Sequence, residues 1–236
     1  MFKIFILKKL FTKSDWMENW RNEWRNFSFR YNFIFSFLFL IATLLVCSKF
    51  LLFAESRKGF FFNDYFLSVL PNYDLSGIIF FILYSTLIIG LGHVSRFPHR
   101  LILAFYAYTI VLIFRMLSIY FFPLEAPANI IVLKDPFVEF FTGTSIAVTK
   151  DLFFSGHTAT MCLLYFFVKN KWLKISFLIS AIAVGLMLLI QHVHYTMDVI
   201  AAPFFAVFGC RLVILFYRNS RQMPISSWFE KLAKEK

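Results

Sequence analysis

Residues 151–198 read DLFFSGHTATMCLLYFFVKNKWLKISFLISAIAVGLMLLIQHVHYTMD. Two apolar runs, about 154–168 and 172–191, meet at a turn that holds Lys169, Lys171 and Lys174. Their far ends carry polar clusters. One is Asp151 with Ser155-Gly156-His157-Thr158, and the other is His192 with His194-Tyr195-Thr196-Met197-Asp198. Lysines mark the cytoplasmic side of a membrane segment. Ionisable groups at membrane depth are costly, so they are read as functional. The stretch therefore predicts a helical hairpin across a bilayer, with both clusters at the same membrane face.

Working outward, four more segments reach the roughly 20 apolar residues that a span needs. They lie at about 31–54, 77–95, 100–122 and 196–217. Pro203 is placed to kink the last one. The expected fold class is all-α: a six-helix transmembrane bundle. Its domain layout is an amphipathic N-terminal segment (1–30), one six-span membrane domain (31–217) and a basic tail (218–236). In the first segment Trp16, Trp20 and Trp24 recur every four residues. That spacing predicts an N-terminal amphipathic interfacial helix with tryptophan at headgroup depth. The first thirty residues are too charged for a cleavable signal peptide, and none is expected.

Composition agrees with this reading. The chain of 236 residues is 60% hydrophobic, against about 45–50% for soluble domains. The net charge of +11 would suggest nucleic acid in a soluble protein; here it reads as topology, and no nucleic-acid partner is expected. Of the 24 lysines and arginines, Arg115 and Arg211 fall inside spans. Seventeen of the rest flank one side of the predicted spans and five the other. Both termini are thus expected in the cytoplasm, with the active site on the extracytoplasmic face. Small size and short tails favour a bacterial inner membrane. Cys47, Cys162 and Cys210 lie in apolar stretches without paired spacing and read as packing residues.

The two clusters together suit phosphoryl transfer. Such chemistry needs a nucleophile, an acid for the leaving oxygen and positive or donating groups around the phosphoryl oxygens. His194 is the candidate nucleophile. Asp198 follows one helical turn later and shares its face, fit to orient the imidazole. His157 is the candidate acid. Ser155 and Gly156 open a helix whose N-terminus favours anions, and glycine permits close approach. Arg115, towards the outer end of the third span, is the candidate phosphate clamp, and Asp151 is grouped with this phosphate-binding set. His194 must be neutral to attack and His157 protonated to donate, so a bell-shaped rate profile with pH is expected. No metal and no cofactor are required. A metal site built from His157, His192 and His194 is the competing reading of these imidazoles, but it leaves Ser155-Gly156 and Arg115 unexplained.

At these residues the chain resembles the sphingomyelin synthase branch of the type-2 phosphatidic acid phosphatase superfamily. The resemblance rests on Asp151 followed by Ser155-Gly156-His157-Thr158, on His194-Tyr195-Thr196-Met197-Asp198-Val199, and on Arg115 ahead of Ile119-Tyr120 and Pro123. It spans about residues 64–217. It implies a six-helix fold and a His-His-Asp triad in which the second histidine attacks, the aspartate orients it and the first histidine assists the leaving group. Departures are visible. Leu70-Pro71-Asn72-Tyr73-Asp74 is a poor match for the family's proline-rich element, Thr149 stands where the synthase motif has cysteine, and Met187-Leu188 stands where phosphatases have Ser-Arg.

Three functions follow as expectations. The first is a lipid phosphotransferase with a membrane phospholipid donor and a lipid hydroxyl acceptor such as ceramide or diacylglycerol. The second is a lipid phosphate phosphatase using the same residues with water as acceptor. The third is a non-catalytic lipid-binding or transporter subunit.

Overall fold

The computed structural model describes residues 13–136, 140, 141, 143 and 148–219. Its helices are α1 (Lys13–Trp24), α2 (Phe27–Ser56), α3 (Tyr65–Val69), α4 (Ser76–Val94), α5 (Pro98–Phe121), α6 (Gly156–Phe167), α7 (Lys171–Ile190) and α8 (Thr196–Asn219). Among the described residues there is no strand, only an isolated bridge between Phe60 and Leu124.

Among the described residues five helices are long and apolar enough to cross a membrane: α2, α4, α5, α7 and α8. Their outer faces present large apolar side chains such as Leu38, Phe81, Ile88, Phe204 and Phe216. A water-facing protein rarely exposes so much contiguous apolar surface. Hydroxyls inside α2 are satisfied within the helix, as lipid requires: Ser36, Thr43 and Ser48 donate to the carbonyls of Phe33, Phe39 and Leu45. Helix α8 continues through Pro203.

The expected fourth span is shorter than predicted. Helix α6 has 12 residues, about 18 Å, against a hydrocarbon core of roughly 30 Å. Both of its ends are fixed by specific groups. At the start the Ser155 hydroxyl accepts from the Thr158 amide at 3.3 Å, an N-cap that leaves Phe153 and Phe154 outside the helix. At the end Arg100 Nη1 donates to the Phe167 carbonyl at 3.0 Å. The Lys169 amide then donates to His93 Nε2 at 3.3 Å. Apolar composition carries the expected segment one residue past the Ser155 cap and through the Val168 cap.

The N-terminal boundary also moves. Helix α2 already begins at Phe27, where the Asn26 side chain accepts from the Ser28 amide at 2.9 Å. The tryptophan face of α1 meets the protein. Trp16 and Trp20 both donate their indole N–H to the Ser95 carbonyl, at 3.1 and 2.7 Å. Glu23 pairs with His99 at 2.9 Å, so α1 is tied to the α4–α5 turn. Residues 1–12 of the expected amphipathic segment and 220–236 of the expected basic tail lie outside the described residues.

The core lies among α5, α6 and α8, with Ala107, Val111, Phe154, Ala159, Ala202 and Ala206 buried at its centre. Small residues there let helices approach closely, which is how packing holds helices together in lipid. The two phenylalanines ahead of Ser155 anchor the entry to α6. Phe154 stacks on Phe205 of α8 at 4.3 Å, and Phe153 stacks on Phe122 after α5 at 4.8 Å.

Candidate active site

Helix α8 starts with Thr196, so His194 lies just before it and Asp198 in its first turn. One turn separates them, and Asp198 Oδ2 meets His194 Nδ1 at 3.2 Å. Both side chains are buried. The contact occupies Nδ1, so Nε2 is the ring nitrogen turned away from Asp198. Asp198 does more than orient the imidazole. Its Oδ1 accepts from the Phe153 amide at 3.1 Å and its Oδ2 from the Tyr195 amide at 3.2 Å. Its own carbonyl accepts from the Ser155 amide at 3.0 Å. One aspartate thus joins the start of α8 to the start of α6. Phe153 meets it with φ of 87°, a left-handed conformation that costs an aromatic residue about 1–3 kcal/mol.

Arg115 projects from α5 to the same place. Its Nε donates to Asp151 Oδ1 at 2.7 Å, and its Nη2 pairs with Asp151 Oδ2. This fork holds the guanidinium over the first residue of α6. A Cβ on Gly156 would lie 1.2 Å from Arg115 Nη1 and 2.4 Å from Cζ. The glycine therefore makes room for the arginine, where the sequence suggested room for a phosphate. Ser155, expected to bind phosphate, spends its hydroxyl on capping α6 and meets Thr158 Oγ1 at 3.2 Å as well.

His157 follows in the first turn of α6, and its Nε2 lies 3.1 Å from Asp135 Oδ2. Asp135 also accepts from the Tyr84 hydroxyl at 2.6 Å. So each motif histidine faces a carboxylate. Sequence reasoning missed Asp135, because it sits in an aperiodic loop 22 residues before its partner. His192 turns elsewhere: its Nδ1 faces the Ala128 carbonyl at 3.1 Å. The three imidazoles weighed as a metal set thus have three different partners. Among the described residues no cluster of three or more His, Cys, Asp or Glu is arranged to hold a metal ion.

A second missed carboxylate is Asp64. It caps α3 through the Phe66 and Leu67 amides. It also accepts from the Thr196 amide at 2.6 Å and the Thr196 hydroxyl at 3.1 Å. Burial acts to raise the Asp64 carboxyl, but these hydrogen bonds outweigh it and hold the group below the usual carboxylate range. The contact pins the loop that carries α3 to the start of α8. Leu70–Asp74 lies beside it, with the Tyr73 amide donating to the Ile190 carbonyl and Asp74 accepting from the Ser76 amide and hydroxyl at the start of α4.

Arg115, Asp135, Asp151, Gly156 and His157 form one end of a cavity of about 310 Å³. Leu40, Leu44, Leu87 and Phe105 are among its apolar walls. His194 and Asp198 are not among its lining residues; they join the arrangement through the Phe153–Ser155 backbone.

Residues 150–218 match the family model described as PAP2 superfamily C-terminal. The matched segment runs from just before Asp151 to the end of α8 and includes both histidine clusters. No curated protein matches the chain. The match and the apolar helices together fit a multi-pass membrane enzyme acting on lipid phosphates, either a phosphatase or a phosphotransferase.

Proposed function

We propose that this protein is a lipid phosphotransferase working through a phosphohistidine on His194. The observation that carries the reading is the pairing of each motif histidine with its own carboxylate, next to an arginine held over the start of α6. His194 Nε2 attacks the phosphorus of a membrane phospholipid. The bond from phosphorus to the lipid oxygen breaks, and His157 gives that oxygen a proton. Asp198 stabilises the imidazole as it becomes cationic. Arg115 Nη1 and the amides opening α6 meet the charge on the phosphoryl oxygens. In the second half an acceptor hydroxyl returns its proton to His157 as the phosphorus–nitrogen bond breaks. A ceramide or diacylglycerol hydroxyl as acceptor makes the protein a transferase of the sphingomyelin synthase type; water makes it a phosphatase.

The same proposal completes the topology. Helix α6 serves as the sixth crossing, lengthened by the extended residues on either side of its caps. Both termini face the cytoplasm and the catalytic groups face outward, in keeping with the lysine and arginine bias. The expected division near residues 30 and 217 belongs to the same scheme, with its first boundary moved to the start of α2 at Phe27.

The test uses purified protein in vesicles of phosphatidylethanolamine, phosphatidic acid and a fluorescent ceramide, with products read by mass spectrometry. A ceramide carrying a phosphorylated headgroup is the expected product. Free phosphate without it makes the protein a phosphatase. Neither product, from folded protein, sinks the catalytic reading.

Asp135 gives a sharper check on the acid. Replacing Asp135 by Asn removes the carboxylate that meets and orients His157, and turnover of lipid substrate should fall by about tenfold to a hundredfold. A phosphate ester with an activated aryl leaving group needs no acid, so its turnover should change little. Equal losses on both substrates would mean that Asp135 serves only the fold.

A further inference from the structure

The cavity is elongated along α5. Arg115 and Ala104 both line it and stand eleven residues apart on α5, about 16 Å. Its polar end is the catalytic end. The remainder runs down past Leu44 and Leu87 to Ala104, Leu164 and Phe167. Helices α2 and α4 both line it yet scarcely touch each other. The chamber is therefore largely apolar, and the sparse contact between α2 and α4 leaves it a side without helix-to-helix packing.

Which part of a substrate enters is decided by the two histidines. His157, the acid for the leaving oxygen, lines the cavity, whereas the nucleophile His194 does not. Resting on the proposed phosphoryl transfer, we infer that the cavity holds an acyl chain of the leaving lipid alcohol, entering between α2 and α4, with its length limit set at Ala104. The leaving oxygen then lies at His157, and the transferred phosphoryl group lies towards His194. By reversibility, a lipid acceptor uses the same slot, with its hydroxyl at His157. Ala104 is the smallest side chain at the deep end, so enlarging it shortens the slot without touching a catalytic group.

The experiment measures kcat/KM for phosphatidic acids of short, medium and long chain with wild type, Ala104→Phe and Leu44→Phe. Both variants should lose about tenfold or more on the long chain and change by less than about twofold on the short one. Two variants guard against one failing to fold. If both fold and keep the wild-type chain profile, the slot is wrong. A second readout is independent of turnover. A phosphatidic acid with a photoreactive diazirine at its chain end is irradiated on His194→Ala protein. Labelling at residues around Ala104, Leu164 and Phe167 supports the slot. Labelling confined to the outer faces, at Phe81 or Ile88, overturns it. Labelling at the deep end by a wild-type protein that turns over no lipid would keep the slot and discard the phosphoryl reading.

Discussion

His194→Ala leaves a folded, membrane-inserted protein with no measurable lipid turnover, a loss of about ten-thousandfold or more. The side chain supplies the attacking nitrogen, and no other described imidazole meets Asp198. Truncation opens a cavity at a buried position, but Asp198 keeps the Phe153 and Tyr195 amides as donors, so the melting temperature in detergent should fall without loss of the fold. Asp198 is a different case, although it serves the same step. Its carboxylate accepts from the Phe153 and Tyr195 amides as well as meeting His194. Asp198→Ala strands two buried amides, at about 1–3 kcal/mol each, and mixes a folding defect with the catalytic one. Asp198→Asn keeps the shape but holds one acceptor oxygen in place of two. If its oxygen faces Phe153, its amide opposes Tyr195 N–H and donates to His194 Nδ1, which puts the imidazole proton on Nε2 and blocks attack. If it is turned round, the Phe153 amide loses its partner and the entry to α6 shifts. Either way turnover should fall by about ten-thousandfold, with a smaller drop in melting temperature than in Asp198→Ala. Lipid turnover by purified His194→Ala, above a mock preparation, removes the phosphohistidine mechanism.

The parts of this site that could be read from sequence are those governed by helical periodicity. His194 and Asp198 are four residues apart at a helix start, and they meet as that spacing requires. The five long spans follow from apolar length, which fixes helix existence better than helix ends. Helix α6 was over-extended because apolar composition cannot see the Ser155 cap or Arg100 reaching the Phe167 carbonyl from another helix. Asp135 and Asp64 were illegible for a related reason. Each lies in a loop without a period, and its partner is brought to it by tertiary structure alone. Ser155 and Gly156 stand at the start of α6, where the sequence places them. Their immediate neighbours are the backbone of α6 for the serine and the guanidinium of Arg115 for the glycine.

That last contact gives the second large effect, at a residue that carries no functional group. Gly156→Ala places a methyl group 1.2 Å from Arg115 Nη1 and 2.4 Å from Cζ. The arginine cannot yield cheaply, because its Nε and Nη2 both donate to the Asp151 carboxylate. Gly156 is the first residue of α6, a position where alanine fits the backbone and raises helix propensity. The substitution therefore moves the guanidinium while leaving the helix intact. A displacement of about 1 Å in a charged group facing the transition state costs about a hundredfold, and loss of the donor altogether costs about a hundredfold to a thousandfold. Turnover of Gly156→Ala should fall within that range. The cause is separable from a general packing defect by a double-mutant cycle. Arg115→Ala removes the group that the methyl displaces, so adding Gly156→Ala to it should change turnover by less than about twofold. Additive losses would mean that the glycine matters for something other than the arginine. Full activity in Gly156→Ala alone would mean that Arg115 does not act from over the start of α6.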